Sequence, residues 1–224
     1  MTYHGGIILP TVTSKAIFWG PSWKHKAFVG DKITGLDAWY TGHITSEYAK
    51  TINEYTGSNG QVGHSPIPMT HQGHVLDYST ASSGDPTSVL AEVCKQVSAG
   101  SIIADSGGNG YYPVYSDVPR GNNGFCAYHS YGYCGGVPAP QVQIAFFFDL
   151  DGDPGCDPGD PGDVTGNSQR LAALANVTAH EISDARTDPA SPFAWYDANG
   201  EESADKCAWT FNTNGAGGVG SVPE

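Results

Sequence analysis

A histidine and two acidic residues near the end of a predicted helix have the spacing of a metal site. His180 and Asp184 are four residues apart, so on an α-helix their side chains lie one above the other on the same face. Both can therefore bind one cation. Glu181 is offset from His180 by about 100° around the helix axis, which places its carboxylate beside the cation. The spacing predicts a metal ion next to a general base.

The ligand types point to zinc. Imidazole and carboxylate groups are both zinc ligands, and Asp184 stands where the His-Glu-x-x-His motif of zinc peptidases has its second histidine. A catalytic zinc needs a third protein ligand and one position for water. We expect Glu202 to be that ligand, with Asp205 as the alternative. A solvated acidic turn at these positions is the competing interpretation.

This constellation predicts hydrolysis by metal-activated water. The zinc would lower the pKa of bound water and polarise a carbonyl group, and Glu181 would accept the proton from the water. We expect His129 to stabilise the developing oxyanion, with Tyr128 as the alternative donor. A hydrogen-bonded histidine in a tyrosine-rich strand would explain His129 without a catalytic role.

A second group of carboxylates follows the most apolar predicted strand. Acidic residues at alternate positions are typical of calcium loops, but Pro154 stands where an EF-hand has glycine. A calcium site of another geometry and a hydrated acidic loop therefore both remain open. The candidate calcium ligands are Asp149, Asp151, Asp153 and Asp157, and the series continues with Asp160 and Asp163.

Hydrophobic periodicity predicts the elements that position these residues. Pro189 ends the predicted helix that bears the metal motif. Residues 69–74, which include His71 and His74, are predicted to be a loop without a metal role. Helices are predicted over residues 31–55, 85–99 and 167–188, and strands over 15–20, 75–76, 111–115, 125–131 and 142–148.

The order of these elements predicts an α+β fold in a single domain spanning residues 1–224. We expect a mixed β-sheet with one long backing helix and a zincin-like helix that carries the metal site. The part from about residue 189 to 224 is rich in glycine and asparagine and is expected to be a loop-rich subdomain.

Composition limits the partners. A formal net charge of −13 would repel nucleic-acid phosphates and anionic membranes, and no apolar run reaches the roughly 20 residues that span a bilayer. Only 15% of the residues are charged, which favours an exported protein. The first residues lack the features of a secretion signal, so the protein is either intracellular or derived from a secreted precursor. We expect the second, a secreted protein whose signal peptide lies outside this sequence.

Five cysteines fit an oxidising compartment. Cys126 and Cys134 lie in one short glycine- and tyrosine-rich stretch, so we expect them to form a disulfide. Cys156 and Cys207 are expected to form the second, which would tie the acidic loop to the segment with Glu202. Cys94 falls on the apolar face of a predicted helix and is expected to be a buried free thiol.

Several segments, taken in order along the chain, resemble the EXORDIUM / phosphate-induced protein family. They are Tyr3-His4-Gly5-Gly6, Ile17-Phe18-Trp19-Gly20, Gly110-Tyr111-Tyr112-Pro113-Val114-Tyr115, Gly124-Phe125-Cys126-Ala127-Tyr128-His129, residues 144–149 before Cys156, Thr187-Asp188-Pro189, and Glu202-Ser203-Ala204-Asp205-Lys206-Cys207.

The resemblance implies an extracellular protein with disulfides. Plant members of the family are linked to cell-wall and growth responses, and they lack His-Glu at the position of His180 and Glu181. Bacterial and fungal relatives carry the His-Glu-x-x-acidic form found here. The resemblance therefore implies a metallopeptidase-like ancestor whose site is kept in this chain.

Two functions follow as hypotheses. The first is a secreted zinc-dependent hydrolase that cleaves a peptide or protein substrate, with a glycan as the alternative substrate. The second is a non-catalytic secreted module, associated with a cell wall or a binding partner, that has the same fold.

Overall fold

The computed structural model describes residues 1–59, 68–135, 139–157 and 166–208. The strands in these ranges are β1 (Thr2–Tyr3), β2 (Val12–Trp19), β3 (Met69–Asp77), β4 (Gly110–Pro119), β5 (Ala127–Tyr133), β6 (Gln141–Asp149) and β7 (Trp195–Tyr196). The α-helices are α1 (Lys26–Val29), α2 (Lys32–His43), α3 (Pro86–Ser98) and α4 (Gln169–Thr187), and short 3-10 helices lie at Pro21–Lys24, Tyr48–Ile52 and Asp205–Cys207.

Five strands form one mixed sheet in the order β3-β2-β4-β6-β5. The first four are parallel, and β5 runs antiparallel to β6 at the edge. β1 and β7 form a separate antiparallel pair. Helices combined with a mixed sheet make this an α+β fold, as the sequence predicts. The apolar run of β6 lies between β4 and the edge strand β5, and both of its faces are covered.

The two faces of the sheet pack against different helices. Residues paired between neighbouring strands point to the same face, so Tyr115 and its β6 partner Phe147 share one side. The Tyr115 hydroxyl bonds Tyr40 of α2 at 2.8 Å and Thr178 of α4 at 2.9 Å, which places α2 and α4 on that face. Gly132 of β5 points to the opposite face, against Leu90 of α3.

Helix α4 runs antiparallel to β2 and β4. At its start, Ser168 caps the helix by accepting a hydrogen bond from Leu171 N at 3.2 Å, and its own backbone N–H and hydroxyl donate to Asp31. At its end, the carbonyl of Arg186 accepts a hydrogen bond from Leu9 N at 2.9 Å. Leu9 leads into the start of β2, so the last turns of α4 lie beside the first residues of β2 and β4.

Two predictions about helix and strand bounds are wrong. The long helix predicted over residues 31–55 ends at His43 and is followed by the 3-10 helix Tyr48–Ile52. Ser46 explains the break, because its hydroxyl donates to His43 O and accepts from Ala49 N and so offers the backbone a turn instead of helix. The predicted loop at residues 69–74 belongs to β3, where a bulge with Gly73 at φ 72° distorts the strand.

The predicted disulfides are also wrong. Cys94 bonds Cys134, and Cys126 bonds Cys156. Cys126 and Cys134 flank the 7 residues of β5, which as extended strand span about 23 Å, far beyond the roughly 7 Å Cα separation that a disulfide tolerates. The side chain of Cys207 lies outside the described part of the chain.

Tertiary packing explains the pairs that do form. Helix α3 covers the sheet beside the end of β5 and carries Cys94, whose Cα is 5.1 Å from that of Cys134. Antiparallel pairing brings the end of β6 to the start of β5, so the acidic loop after β6 returns Cys156 to Cys126, with a Cα separation of 5.7 Å. Two disulfides fit an oxidising, extracellular environment.

Within the described ranges, no helix combines the length and the apolar character needed to cross a lipid bilayer.

Disulfide mapping of the unreduced protein should recover peptides that join Cys94 to Cys134 and Cys126 to Cys156. The sequence separations are 40 and 30 residues, so chain entropy predicts that each bond contributes about 4 kcal/mol to the free energy of unfolding. A Cys94→Ser/Cys134→Ser variant should unfold at correspondingly lower denaturant concentration. Recovery of a Cys126–Cys134 peptide would contradict the fold at β5.

Candidate metal centre

The last turns of α4 form the most polar part of the protein interior. His180, Glu181 and Asp184 are each 0% exposed. They are as fully buried as Val177 and Ile182, apolar residues of the same helix. Burying ionisable side chains is costly unless they are paired or bind a metal. The three ionisable side chains of α4 therefore need specific partners in the protein interior.

Three side chains converge at this point. His180 Nε2 lies 3.3 Å from Asp184 Oδ2 and 3.1 Å from Asp205 Oδ1, and the three ligand atoms are all within 4.8 Å of one another. Tetrahedral zinc with bonds of about 2.0–2.2 Å separates its ligand atoms by about 3.3–3.6 Å. The two separations from His180 Nε2 are therefore close to one edge of a zinc tetrahedron.

Each carboxylate uses one oxygen for orientation and turns the other toward His180. Asp184 Oδ1 accepts hydrogen bonds from Ser203 Oγ at 2.8 Å and from Ala204 N at 2.6 Å. Asp205 Oδ2 accepts one from Glu202 N at 2.8 Å. Asp184 Oδ2 is buried and has no hydrogen-bond partner among the described residues. Such outer hydrogen bonds fix the direction of metal ligands in known metal sites.

Burial and charge shift the pKa values of this cluster. Desolvation raises the pKa of Asp184 to about 7, against the opposing charge of His180. Burial also acts to raise the pKa of Asp205, but hydrogen bonds to His180 and from the backbone of Glu202 outweigh it, and the pKa is lowered. A bound divalent cation would favour the charged form of both carboxylates.

Glu181 is directed toward the sheet. His129 of β5 and Tyr111 of β4 both point to the face that α4 covers, because they pair with Ala145 and Gln143 of β6. Burial raises the pKa of Tyr111, and the charges of Tyr115 and Glu181 add to that rise. Burial acts to lower the pKa of His129, and the charge of Glu181 adds to the larger opposing effect of Glu202. The candidate general base is thus buried on α4, about 100° around the helix from His180 and within electrostatic reach of these two residues.

His129 forms a buried ion pair with Glu202. His129 Nε2 and Glu202 Oε2 are 2.7 Å apart. Burial acts to lower the pKa of His129, but the charge and hydrogen bond of Glu202 outweigh it and raise the pKa to about 10. His129 is therefore an imidazolium at neutral pH. Its Nδ1 atom is buried without a hydrogen-bond partner among the described residues, so it holds a donor available for a ligand.

The structure brings together only some of the residues that the sequence analysis assigned to one metal site. Asp205, the alternative third ligand, joins His180 and Asp184, whereas Glu202 pairs with His129 instead. Tyr128 points to the opposite face of the sheet and donates its hydroxyl hydrogen bond to Gly84 O at 2.8 Å. The sequence analysis missed Tyr111, whose strand is buried on both faces and shows no alternation to mark it.

The acidic loop does not gather its carboxylates around a common point. The buried Lys32 pairs with Asp151 at 3.0 Å and Asp149 at 3.7 Å, and Arg120 pairs with Asp153 through two nitrogens, at 2.6 and 2.7 Å. Among the described residues, only His180, Asp184 and Asp205 form a metal-like group. Asp157 is likewise outside that group, and the predicted contributions of residues 160 and 163 fall outside the described ranges.

His71 and His74 also find a partner within the chain. Both hydrogen-bond Asp37 of α2, with distances of 2.9 and 2.7 Å, and His71 Nδ1 is 2.9 Å from Ser14 Oγ. The bulge at Gly73 turns both imidazoles toward α2. This cluster joins β2, β3 and α2, and it shares no residue with the metal-like group of His180, Asp184 and Asp205.

No family model matches the sequence, and no curated protein is significantly similar to it. The resemblance to the EXORDIUM / phosphate-induced protein family therefore rests on the quoted segments alone.

Two carboxylates three residues apart provide a direct test of the ligand set. Asp205→Asn should weaken zinc binding by at least about 10–100-fold, the loss that removing even an outer partner of a metal ligand causes. Glu202→Gln is the matched control and should bind zinc as the unaltered protein does, because only its backbone N–H contacts Asp205. Zinc affinity is measured by competition with a chromophoric chelator.

Equal zinc affinity in the two variants would contradict the assignment of Asp205. A loss confined to Glu202→Gln would restore the first choice made from the sequence.

Proposed function

We propose that this protein is a secreted zinc-dependent hydrolase that cleaves peptide bonds. The observation that carries the proposal is the convergence of His180 Nε2, Asp184 Oδ2 and Asp205 Oδ1 beside Glu181. One imidazole and two carboxylates are ligand types that zinc binds, and three such ligands would leave a fourth position for water.

The residues fit zinc better than they fit calcium or magnesium. A nitrogen ligand is unusual for those hard cations, which prefer six or more oxygen ligands. The buried Asp184 Oδ2, which lacks a hydrogen-bond partner among the described residues, is the kind of atom that a cation satisfies. When bound, zinc supplies a Lewis acid that activates water at neutral pH.

Glu181 is the proposed general base. Its neighbour His180 is a proposed metal ligand, and Glu181 lies about 100° away around α4, beside the position that the metal would occupy. His129 remains protonated at neutral pH and directs charge toward the same space. It is therefore suited to stabilise negative charge on the carbonyl oxygen during attack.

The position of β5 favours an extended peptide as substrate. β5 is an edge strand, paired within the described chain only with β6, and it packs directly against α4. The open edge of a sheet can bind an extended peptide through backbone hydrogen bonds. A peptide added there would run past His129. A glycan remains the alternative substrate.

Solvent reaches the cluster of His180, Asp184 and Asp205 from the side of Asp205. The side chain of Asp205 is 21% exposed, whereas those of His180 and Asp184 are fully buried. The cleft lined by residues 7–9, 106–109 and Gln141 contains none of the proposed ligands. We therefore expect substrate to enter past Asp205 rather than through that cleft.

A non-catalytic secreted module, associated with a cell wall or a binding partner, is the second candidate. Complete burial of Glu181 favours it. In that case zinc would be structural and would tie the segment of residues 203–205 to α4. Such a metal contributes to stability but not to turnover. The resemblance to family members linked with cell walls supports the same candidate.

Glu181→Gln separates the two candidates. Glutamine keeps the volume of glutamate but cannot accept the proton of the attacking water, so we expect peptide cleavage to fall by about 10²–10⁴-fold while zinc content and melting temperature stay unchanged. His180→Ala is the companion variant and should lose zinc itself. Cleavage of a quenched fluorescent peptide library and zinc content are measured on the same preparations.

Cleavage by Glu181→Gln at the unaltered rate would end the catalytic role of this residue. An unaltered protein that binds zinc yet cleaves no peptide would favour the non-catalytic module.

A further inference from the structure

Six aromatic side chains meet around the short ribbon that β1 and β7 form. This aromatic patch consists of Tyr3, His4, Tyr55, Phe193, Trp195 and Tyr196. The ring of Trp195 contacts that of Tyr3, its partner across the ribbon, with 5.1 Å between the centroids. The ring of Tyr196 stacks on that of His4 at 3.6 Å. Within the described part of the chain, these six residues lie outside the hydrophobic core around the sheet.

The patch is open to solvent, although hydrogen bonds hold its rings in place. Tyr3 is 39% exposed and Phe193 is 47% exposed. The hydroxyl of Tyr3 donates to Gly6 O at 2.8 Å, and the indole N–H of Trp195 donates to Thr56 O at 2.7 Å. Exposed rings with a fixed orientation form a binding surface that loses little conformational entropy when a ligand binds.

The charge of the molecule limits what the patch can bind. The chain has a formal net charge of −13, which repels anionic polymers. The patch itself contains no carboxylate, ammonium or guanidinium group, so a cationic ligand would form no ion pair within it. An uncharged ligand with flat apolar faces is therefore complementary to this surface.

A cleft with uncharged polar side chains begins beside the patch. The backbone N–H of Gly6 donates to Phe193 O at 3.1 Å, and the next residue, Ile7, lines the cleft. The volume of the cleft is about 280 Å³, and none of its lining residues is charged. Its polar side chains are those of Asn59, Ser106, Asn109 and Gln141. Amide and hydroxyl groups of this kind can exchange hydrogen bonds with the hydroxyl groups of a ligand.

We propose that the aromatic patch and the adjoining cleft bind an uncharged glycan. The C–H bonds on the face of a sugar ring carry a partial positive charge and pack on the negative faces of aromatic rings. The amide and hydroxyl side chains of the cleft bind the sugar hydroxyl groups. The proposal does not depend on the proposed function, because the patch and the cleft contain none of the proposed metal ligands.

Isothermal titration calorimetry with three uncharged hexasaccharides, of β-linked glucose, xylose and N-acetylglucosamine, tests the proposal. We expect at least one of them to bind, and a hexamer of galacturonic acid to bind at least tenfold more weakly because of its charge. Loss of two stacking rings in Phe193→Ala/Tyr196→Ala should weaken binding by about 5–150-fold. Phe193→Ala alone removes the more exposed ring and should weaken binding by about 2–12-fold.

Tyr78→Ala is the matched control, because Tyr78 is 38% exposed and lies outside the patch. It should bind the hexasaccharide as the unaltered protein does. If none of the three uncharged hexasaccharides binds, or if Tyr78→Ala loses as much affinity as Phe193→Ala, the proposal is overturned. A dimer of the unaltered protein that dissociates in Phe193→Ala/Tyr196→Ala would show that a second copy covers the patch, and would also overturn it.

Removal of metal with a chelator separates this surface from the candidate metal centre. Hexasaccharide binding should be the same before and after chelation, and the same in Asp205→Asn. Binding that is lost in both cases would place the glycan at the metal centre as a substrate and overturn the separate surface. Unchanged binding in a protein that holds no zinc and cleaves no peptide would support the surface and contradict only the proposed hydrolase.

Discussion

The buried carboxylate of Asp184 is the constraint on which the rest of the site depends. A charged group in the interior must be satisfied on every side. Asp184 meets only half of this demand: one oxygen accepts hydrogen bonds from Ser203 and Ala204, and the other faces His180 without a hydrogen bond from the described residues. The first contact holds residues 203 and 204 against α4, and the second places the other oxygen in the proposed metal site. One side chain thus links the architecture to the proposed chemistry.

Two further acidic residues lie next to Ser203 and Ala204 in the sequence, and each has a different partner. Asp205 faces His180, and Glu202 faces His129 on the edge strand. On the other side of the site is the sheet face that α4 covers, where the polar residues include His129, Tyr111 and Gln143. The site is therefore an interface between three parts of the chain: a helix, a sheet face and an irregular segment. Burial of the site from solvent strengthens the electrostatic interactions inside it.

Local patterns in the sequence correctly predicted the structural features that depend only on nearby residues. The apolar periodicity and Pro189 predicted α4, and the four-residue spacing predicted that His180 and Asp184 share a face. Asp85 and Pro86 predicted the start of α3, where Asp85 caps the helix through Ser88 N. Each of these features is set within one or two helical turns, where spacing determines geometry.

Contacts between distant residues were not predictable in the same way. The disulfides follow from the extension of β5 and from α3 packing beside it, which no spacing of cysteines encodes. The charges of the acidic loop are met by Lys32 and Arg120, residues far away in the sequence. The choice between Glu202 and Asp205 depended on how an irregular segment docks on α4. Tyr111 gave no signal, because a strand buried on both faces does not alternate.

Anomalous diffraction at the zinc edge, from crystals of the zinc-loaded protein, tests the central claim most directly. The account predicts one strong peak about 2.0–2.2 Å from His180 Nε2, Asp184 Oδ2 and Asp205 Oδ1. It also predicts that Ser203 and Ala204 still bind the second oxygen of Asp184. A peak at the acidic loop near Asp149, or no peak at α4 in zinc-saturated crystals, would contradict it.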